Sequence, residues 1–526
     1  MSTLFLAIAF LFFAYHRLLT YLHVFQQDDY DNKRFVEWVI KRRAFDRKAS
    51  LCVFVLAFPA LLLPDFAMIF EMVAALVLAV MGWVEADPRI IGKKKLAMTQ
   101  RASRICWSAF GVLAVLSLIG VAIGLHLFFW TIMIQFVPLS LIAGNAILSP
   151  WESSVQKKFW DEAHAKLLEL KPFIIGITGS FGKTSTKHIL AHVLSQFAPT
   201  LATPGSINTP MGIARVVRET LSPHHKYFVC EMGAYGAGSI KALCDLAPPD
   251  AAVLIGIGHA HYERYKTLDA VARAKCELPE AAVANSGWAV MGSDTLDFEY
   301  TRSFIDGNRD RVLLVGGRMA DDLRILEIGQ SVDGITALVD FRGGTYTLSS
   351  PLFGIHHASN MALAFAVACR IGMEPSLVIA ALKTVPQIRH RLEVIHQSSG
   401  AIVIDDAYNS NPAGFSSALS TLSLLGKNRR RILISPGMIE LGAAHASEHT
   451  RIGIQAAQDC DIFLPVSPLR ITAMVEAFRQ HAPHKLVVPC TTFAQAQSWL
   501  GENMRHDDIV LLENDLPDLY ERKLNL

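Results

Sequence analysis

At 526 residues the chain is too long for one hydrophobic core and is read as three or more units. Apolar residues make up 52% and charged residues 18%, with the apolar excess gathered before residue 150, and a formal net charge of +2 removes any global case for nucleic-acid or polyanion binding. The eight cysteines lie far apart without a C-x-x-C pair, which argues against a disulfide framework and a zinc site and suits a reducing cytoplasm.

The first 150 residues read as an all-α membrane-spanning region. "LFLAIAFLFFAYHRLLTYLHVF" (4–25) is long enough to span, and it lacks a basic leader and a small-residue cleavage site, so it is read as an anchor. "LCVFVLAFPALLL" and "FAMIFEMVAALVLAVMGWV" are split by Pro64-Asp65 into a helical hairpin, and "ICWSAFGVLAVLSLIGVAIGL" and "LFFWTIMIQFVPLSLIAGNAIL" form a second around His126, giving five expected spans. Lys33, Arg34, Lys41, Arg42, Arg43, Arg47 and Lys48 fill one connecting loop, and Arg89, Lys93, Lys94, Lys95, Arg101 and Arg104 fill another, while the hairpin tips carry no lysine or arginine. The positive-inside rule then places the N-terminus outside and everything after residue 150 in the cytoplasm, as in a multi-pass protein of a bacterial inner membrane. Glu71, inside the third expected span, is read as a neutral or partnered glutamate near a hairpin.

From "KPFIIGITGSFGKTSTKHILAHVLSQF" onward, short apolar runs alternate with helical periodicity, the pattern of a largely parallel α/β sheet. Strands are expected at 226–232, 251–258 and 288–292, and the Asp-Gly and Gly-Gly turns within 311–350 predict β-hairpins. "GAIVIDD", "RRILISP", "DIFLPVS", "KLVVPC" and "DIVLLEN" predict a second α/β unit. The expected division is 1–150, 151–390 and 391–526.

"GITGSFGKTST" (176–186) has a strand before it and a helix after it, the setting of a phosphate-binding loop. The strict form G-x-x-x-x-G-K-[ST] wants a glycine where Ile177 stands, yet Gly176 and Gly179 flank that position. The loop therefore offers backbone N–H groups to a phosphate, Lys183 as a cation and Thr184 as a magnesium ligand.

"TGSFGKTST" resembles the loop of the Mur ligase family, T-G-[ST]-x-G-K-T-[ST]. The resemblance continues in order through "NTPMG" (208–212), "EMGAYGAGSI" (231–240), "GHAHYERYKTLDAVARAKCEL" (258–278), "GIHHASNMALA" (354–364), "RHRLEVI" (389–395), "IDDAYNSNPAGFSSAL" (404–419) and "GMIELG" (437–442), about 350 residues in all. "DDAYNSNP" and "GMIELG" are similar to the forms of the branch that adds D-alanyl-D-alanine. The resemblance implies a P-loop central domain, a Rossmann-like C-terminal domain and an ATP- and Mg2+-dependent, ADP-forming ligase. Such a ligase activates a carboxylate as an acyl phosphate and joins it to an amine.

The same resemblance implies roles by position. Gly179, Ser180, Gly182, Lys183, Thr184 and Ser185 hold the ATP phosphates; Asn360 lies near adenine; Arg391 contacts the γ-phosphate; and Asp406, Tyr408, Asn409 and Asn411 close over the nucleotide. Thr184 and Glu231 hold one Mg2+, His261 contributes to a second, and Lys275, in "AKCEL", is carbamylated and so becomes a metal ligand. Lys183, Glu231, His261, Lys275 and Arg391 form the expected catalytic set.

His357 departs from the family pattern H-N-x-x-N and changes the hydrogen bonding expected around adenine. The membrane region stands where soluble family members carry a domain for a uridine nucleotide sugar. The expected partners are therefore ATP, a small amino acid or dipeptide, the membrane, and a carboxylate acceptor that a lipid-linked sugar would suit, with no nucleic acid. Envelope or polysaccharide assembly is the leading expectation, with the ordinary dipeptide-adding step of peptidoglycan synthesis as the alternative. A nucleotide-binding organiser of a membrane complex would not need Lys183, Glu231, His261 and Lys275 together, and Glu71 alone is poor support for an ATP-driven transporter.

Overall fold

The structure, a computed structural model, describes all residues except 1, 29, 91–94, 259–264, 266, 409, 440 and 515–526. Lys93, Lys94, His261 and Asn409 thus lie outside the described residues. The chain forms two compact units, residues 1–156 and 157–515.

The first unit is helical: α1 (Ser2–Gln27), α2 (Asn32–Lys41), α3 (Arg47–Leu62), a single turn at Pro64–Phe66, α4 (Ala67–Val84), α5 (Gln100–Ile123) and the first part of α6 (Leu127–Leu170). Its helix starts follow from side-chain caps that satisfy otherwise unpaired N–H groups. Asp31 accepts from Arg34 N, Asp46 from Ala49 N and Thr99 from Ala102 N. Phe10, Phe13, Tyr21, Phe25, Phe35 and Trp130 fill the core. Arg17 is buried between Asp46 at 2.9 Å and Glu85 at 3.0 Å, and Thr20 donates to the same Glu85 at 2.8 Å. A buried guanidinium is tolerated because it is paired on both sides.

Four helical stretches, Ser2–Gln27, Pro64–Val84, Gln100–Ile123 and Leu127–Leu170, are long and apolar enough to cross a membrane. The expected second span falls short: α3 has 16 residues, about 24 Å at 1.5 Å per residue against about 30 Å of hydrocarbon. Glu71 has a partner, since Thr3 Oγ1 donates to its Oε2 at 3.2 Å. The first unit, expected over 1–150, runs to residue 156, and the division falls inside α6, which continues through Pro138 and Pro150 to Leu170.

The second unit carries two sheets. The nine strands of the first are β1 (Phe173–Thr178), β2 (Thr200–Ala202), β3 (Tyr227–Glu231), β4 (Ala251–Leu254), β5 (Trp288–Gly292), β6 (Val312–Gly316), β7 (Leu323–Ser331), β8 (Gly334–Phe341) and β9 (Gly344–Ser350), in the order β2-β3-β1-β4-β5-β6-β7-β8-β9. Pairing is parallel from β2 through β7, and β7-β8-β9 is an antiparallel ladder. The hairpins expected over 311–350 therefore begin only at Leu323, and β6 joins the parallel sheet because its run Val312–Val315 is buried, as in a two-faced parallel strand.

The second sheet has β10 (Glu393–His396), β11 (Ile402–Asp406), β12 (Arg430–Ser435), β13 (Ile462–Pro465), β14 (Leu486–Val487) and β15 (Asp508–Glu513), in the order β10-β11-β15-β12-β13-β14. All pairs are parallel except β10 with β11. In both sheets the polar residues of interest sit at the carboxyl ends of parallel strands, where open α/β sheets bind ligands. Glu231 ends β3, and Asp406 and Glu513 are register partners ending β11 and β15.

Candidate active site

The phosphate loop follows β1 and opens α7 (Lys183–Ser195). Gly182 is the residue before the helix and has φ +76°, and a Cβ there would sit 2.7 Å from Asn360 Oδ1, so glycine is required twice over. Ser180 fixes the other side of the loop, its N–H donating to Gly256 O at 3.0 Å and its hydroxyl exchanging hydrogen bonds with the Gly258 backbone. Asn360 reaches the loop helix by accepting from Thr186 Oγ1 at 3.1 Å.

Lys183 Nζ donates to Gly179 O at 2.8 Å, and Lys275 Nζ donates to the same oxygen at 3.0 Å. Lys275 lies on the helix Leu268–Ala284, almost fully buried. Burial, then the nearby Lys183 charge, lowers its pKa well below the ordinary lysine value. Burial also lowers Lys183, with Glu231 pulling it back up and Arg391 pushing it down.

Glu231 is buried and saturated with donors. Thr184 Oγ1 donates to Oε2 at 3.0 Å, Lys187 Nζ to Oε2 at 3.1 Å and Asn208 Nδ2 to Oε1 at 3.1 Å, while its own N–H donates to Thr203 Oγ1. The Thr184–Glu231 separation fits magnesium, because adjacent oxygens around an octahedral ion with about 2.1 Å bonds lie about 3 Å apart.

From the second sheet, Arg391 sits between two non-glycine residues of positive φ, His390 at 58° and Leu392 at 49°. Its guanidinium lies 4.2 Å from the Tyr408 ring centroid, and the Tyr408 hydroxyl bonds Ser206, next to the Gly205 carbonyl that accepts from Lys187. Asp406 accepts from Leu392 N at 3.2 Å and faces Glu513. Asn411 is occupied as a helix cap, accepting from Gly414 N at 3.0 Å. His357 is fully buried, its Nδ1 3.4 Å from Asn360 Nδ2 and its Nε2 without a hydrogen-bond partner among the described residues.

The loop residues Gly179, Ser180, Gly182, Lys183 and Thr184 thus meet Glu231, Lys275 and Asn360 in one place, with Arg391 close enough to act on the Lys183 charge. Ser185 is buried in the first turn of α7. Lys187, Asn208 and Glu513 were not singled out from sequence. Lys187 had a legible signal, since it stands four residues after Lys183 and so on the same helix face.

A phosphate loop on a parallel sheet, two lysines on one loop carbonyl, a threonine–carboxylate pair and a second α/β domain define a nucleotide-dependent α/β enzyme. Residues 177–368 match the Mur ligase middle domain, and residues 390–513 match the glutamate ligase domain of Mur ligases. The chain is 32% identical over 368 residues to the UDP-N-acetylmuramoyl-tripeptide--D-alanyl-D-alanine ligase of Mycobacterium tuberculosis, covering 65% of this chain and 70% of that protein. The Escherichia coli ligase of the same name is 29% identical over 280 residues, covering 53% and 61%. In fold the chain is similar to MurF from Acinetobacter baumannii, at TM-score 0.58 and 24% identity over 68% of this chain and 77% of that one. It is likewise similar to the Thermotoga maritima MurF ligase in complex with ADP, at TM-score 0.58 and 22% identity over 70% and 82%. The chain belongs to the Mur ligase family. It is an ATP-dependent, ADP-forming amide ligase of that family, whose members use ATP and Mg2+.

Proposed function

We propose that the chain carries out the dipeptide-adding step for which its relatives are named, joining D-alanyl-D-alanine to the terminal carboxylate of a uridine-nucleotide-linked muramoyl tripeptide. The observation that carries this reading is the convergence of Lys183 and Lys275 on Gly179 O beside the Thr184–Glu231 pair. A carboxylate is a poor electrophile, and these residues address the charge that its activation by ATP develops. Loop N–H groups and Lys183 hold the phosphates, and Arg391 brings a second cation from the other domain. Thr184 and Glu231 would hold Mg2+, which supplies charge neutralisation when bound. Lys187 and Asn208 hold the Glu231 carboxylate in place by hydrogen bonds to both of its oxygens.

Lys275 is assigned as a carbamate. Burial lowers its pKa and so favours the unprotonated amine, which adds to carbon dioxide with loss of one proton and becomes an anion able to bind metal. The Tyr408–Ser206 contact supports closure of the second domain over the nucleotide, which keeps water from the acyl phosphate.

A second reading is favoured by the four long apolar helices and by outward-facing residues such as Trp83 and Leu62, 81% and 76% exposed. In it the first unit anchors the enzyme in the inner membrane with the catalytic domains in the cytoplasm, and the acceptor is a lipid-linked carboxylate. Incubation of the purified chain with ATP, Mg2+ and candidate amines against separate soluble and lipid-extract pools decides between them. Amide formed from the soluble uridine-linked tripeptide supports the first reading, and amide formed only from the lipid pool replaces it with the second.

A further inference from the structure

Two connecting segments that are distant in the chain meet at one end of the helical unit: the one between α1 and α3, which carries α2, and the one between α4 and α5. Gln26, at the end of α1, clasps the second, its Nε2 donating to Ala97 O at 2.7 Å and its Oε1 accepting from Ala97 N at 3.1 Å. The Arg101 guanidinium lies 4.5 Å from the Tyr30 ring centroid, and Arg17 pairs with both Asp46 and Glu85. Both segments are rich in lysine and arginine, so the fold gathers their charge on one surface.

The first segment is pinned from inside. Phe35 and Val39 are buried in the core, Ala44 N donates to Val39 O at 2.9 Å, Ala44 O accepts from the Tyr21 hydroxyl at 2.9 Å, and Asp46 is buried as the cap of α3. Side chains between these fixed points face outward, and Arg42, Arg43, Phe45 and Arg47 are exposed. The acidic groups nearby are already engaged: Asp31 with Arg34, Glu37 with Lys41 and Asp46 with Arg17. Arg42, Arg43 and Arg47 form no ion pair among the described residues. Exposed apolar side chains stand among these cations, Ile40 at 61% on the first segment and Ile90 at 68% on the second. Beyond Arg47 the surface turns apolar within about a turn of helix, since Leu51, Phe54 and Phe58 of α3 are exposed. A cationic rim that passes directly into an apolar flank has the profile of a water–bilayer boundary.

We propose that this end of the helical unit docks on anionic phospholipid headgroups, with Arg42, Arg43 and Arg47 on the headgroup phosphates and Ile40 and Phe45 at the boundary between headgroups and acyl chains. The proposal rests on the membrane-anchored reading above. An acidic protein or a soluble polyanion would match the charge, but would leave uncovered the apolar residues that run on into α3. The attraction is electrostatic and falls as salt screens it.

The full chain, purified in a zwitterionic detergent, is titrated with phosphatidylglycerol and with phosphatidylcholine, and the phospholipid it retains is counted by native mass spectrometry. The unmodified chain is expected to prefer phosphatidylglycerol, and to prefer it less as salt is raised. Replacing the three arginines together, Arg42→Gln, Arg43→Gln and Arg47→Gln, is expected to lower that preference at least about tenfold, because each cation near an anionic surface contributes separately. Ile40→Ser with Phe45→Ser should weaken retention of both lipids while leaving the salt dependence, which guards against an arginine variant that fails to fold. Lys157→Gln with Lys158→Gln, equally exposed cations farther along α6, should change nothing. Equal retention of the two lipids, a control pair that loses the preference as fully as the arginine variant, or complete displacement of phosphatidylglycerol by inorganic pyrophosphate overturns the proposal. Release of the unmodified chain from membranes by alkaline carbonate would instead count against the anchored reading itself, whereas a chain that stays in the membrane and retains both lipids equally removes only the docking surface.

Discussion

Lys183 and Lys275, 92 positions apart in the chain, donate to a single acceptor, the carbonyl of Gly179, at 2.8 and 3.0 Å. Burial, and then the neighbouring Lys183 charge, lowers Lys275 well below its ordinary value.

This lysine costs stability. Between its lowered folded value and the ordinary 10.5, the unfolded chain binds a proton at Lys275 that the folded chain does not, so stability rises with pH across that window. In buffer free of carbon dioxide, Lys275→Met is expected to raise the melting temperature of the ligase domains at neutral pH by roughly 2–4 °C, the shift produced by about 1 kcal/mol in a domain of 150–250 residues. The gain should vanish as pH approaches 10.5, while ligase activity is lost throughout. Differential scanning calorimetry across that range checks the sign, and a gain that grows with pH would contradict it.

Lys187 and Glu231 form a buried pair, 5% and 2% exposed at their side chains. Lys187→Met leaves a carboxylate without its counter-charge and should destabilise the fold by about 3–5 kcal/mol. Glu231→Gln removes the charge instead and should raise the Mg2+ concentration needed for half-maximal activity at least roughly tenfold. Chemical denaturation and a magnesium titration read the two effects separately.

Gly182→Ala meets both a positive φ and the Asn360 side chain. The backbone alone is expected to cost about 1–2 kcal/mol. Displacement of Asn360 should also weaken ATP binding, as measured by calorimetric titration.

Lys183→Ala is expected to lower ATP-dependent amide formation by roughly a hundredfold or more, the scale of losing one charge-stabilising group in an active site. Its partitioning into the membrane fraction should match that of the unmodified chain, because residues 1–156 form their own compact unit. Activity assays and alkaline carbonate extraction test the two halves.

Much of the ligase region was legible because its signals are local. The strand, loop and helix around Gly179–Thr184 follow one another within a few residues, and β5 falls on Trp288–Gly292, as its apolar run predicted. What was missed depends on register or on distant partners. Glu513 becomes notable only when β15 is placed beside β11, 107 residues earlier by the Asp406–Glu513 spacing. Asn411, expected to close over the nucleotide, also caps the helix Pro412–Leu425 through its side-chain oxygen, a second role that only the helix start reveals. The amphipathic helix α2 was hidden because the basic residues around it were read for topology, while Phe35 and Val39 anchor it to the core. Apolar composition alone likewise overstated α3 as a span, since a run broken by Pro64 stops at Leu62.

The central claim is that these residues activate a carboxylate by transferring phosphate to it. The direct measurement is to supply the acceptor with heavy oxygen in its carboxylate, allow the complete reaction with ATP, Mg2+ and the amine, and determine by mass spectrometry where the label goes. One labelled oxygen in the released phosphate, in equal amount to ADP and amide, is the predicted result. Amide formation with no label in the phosphate, or ADP release without any amide, would contradict the account.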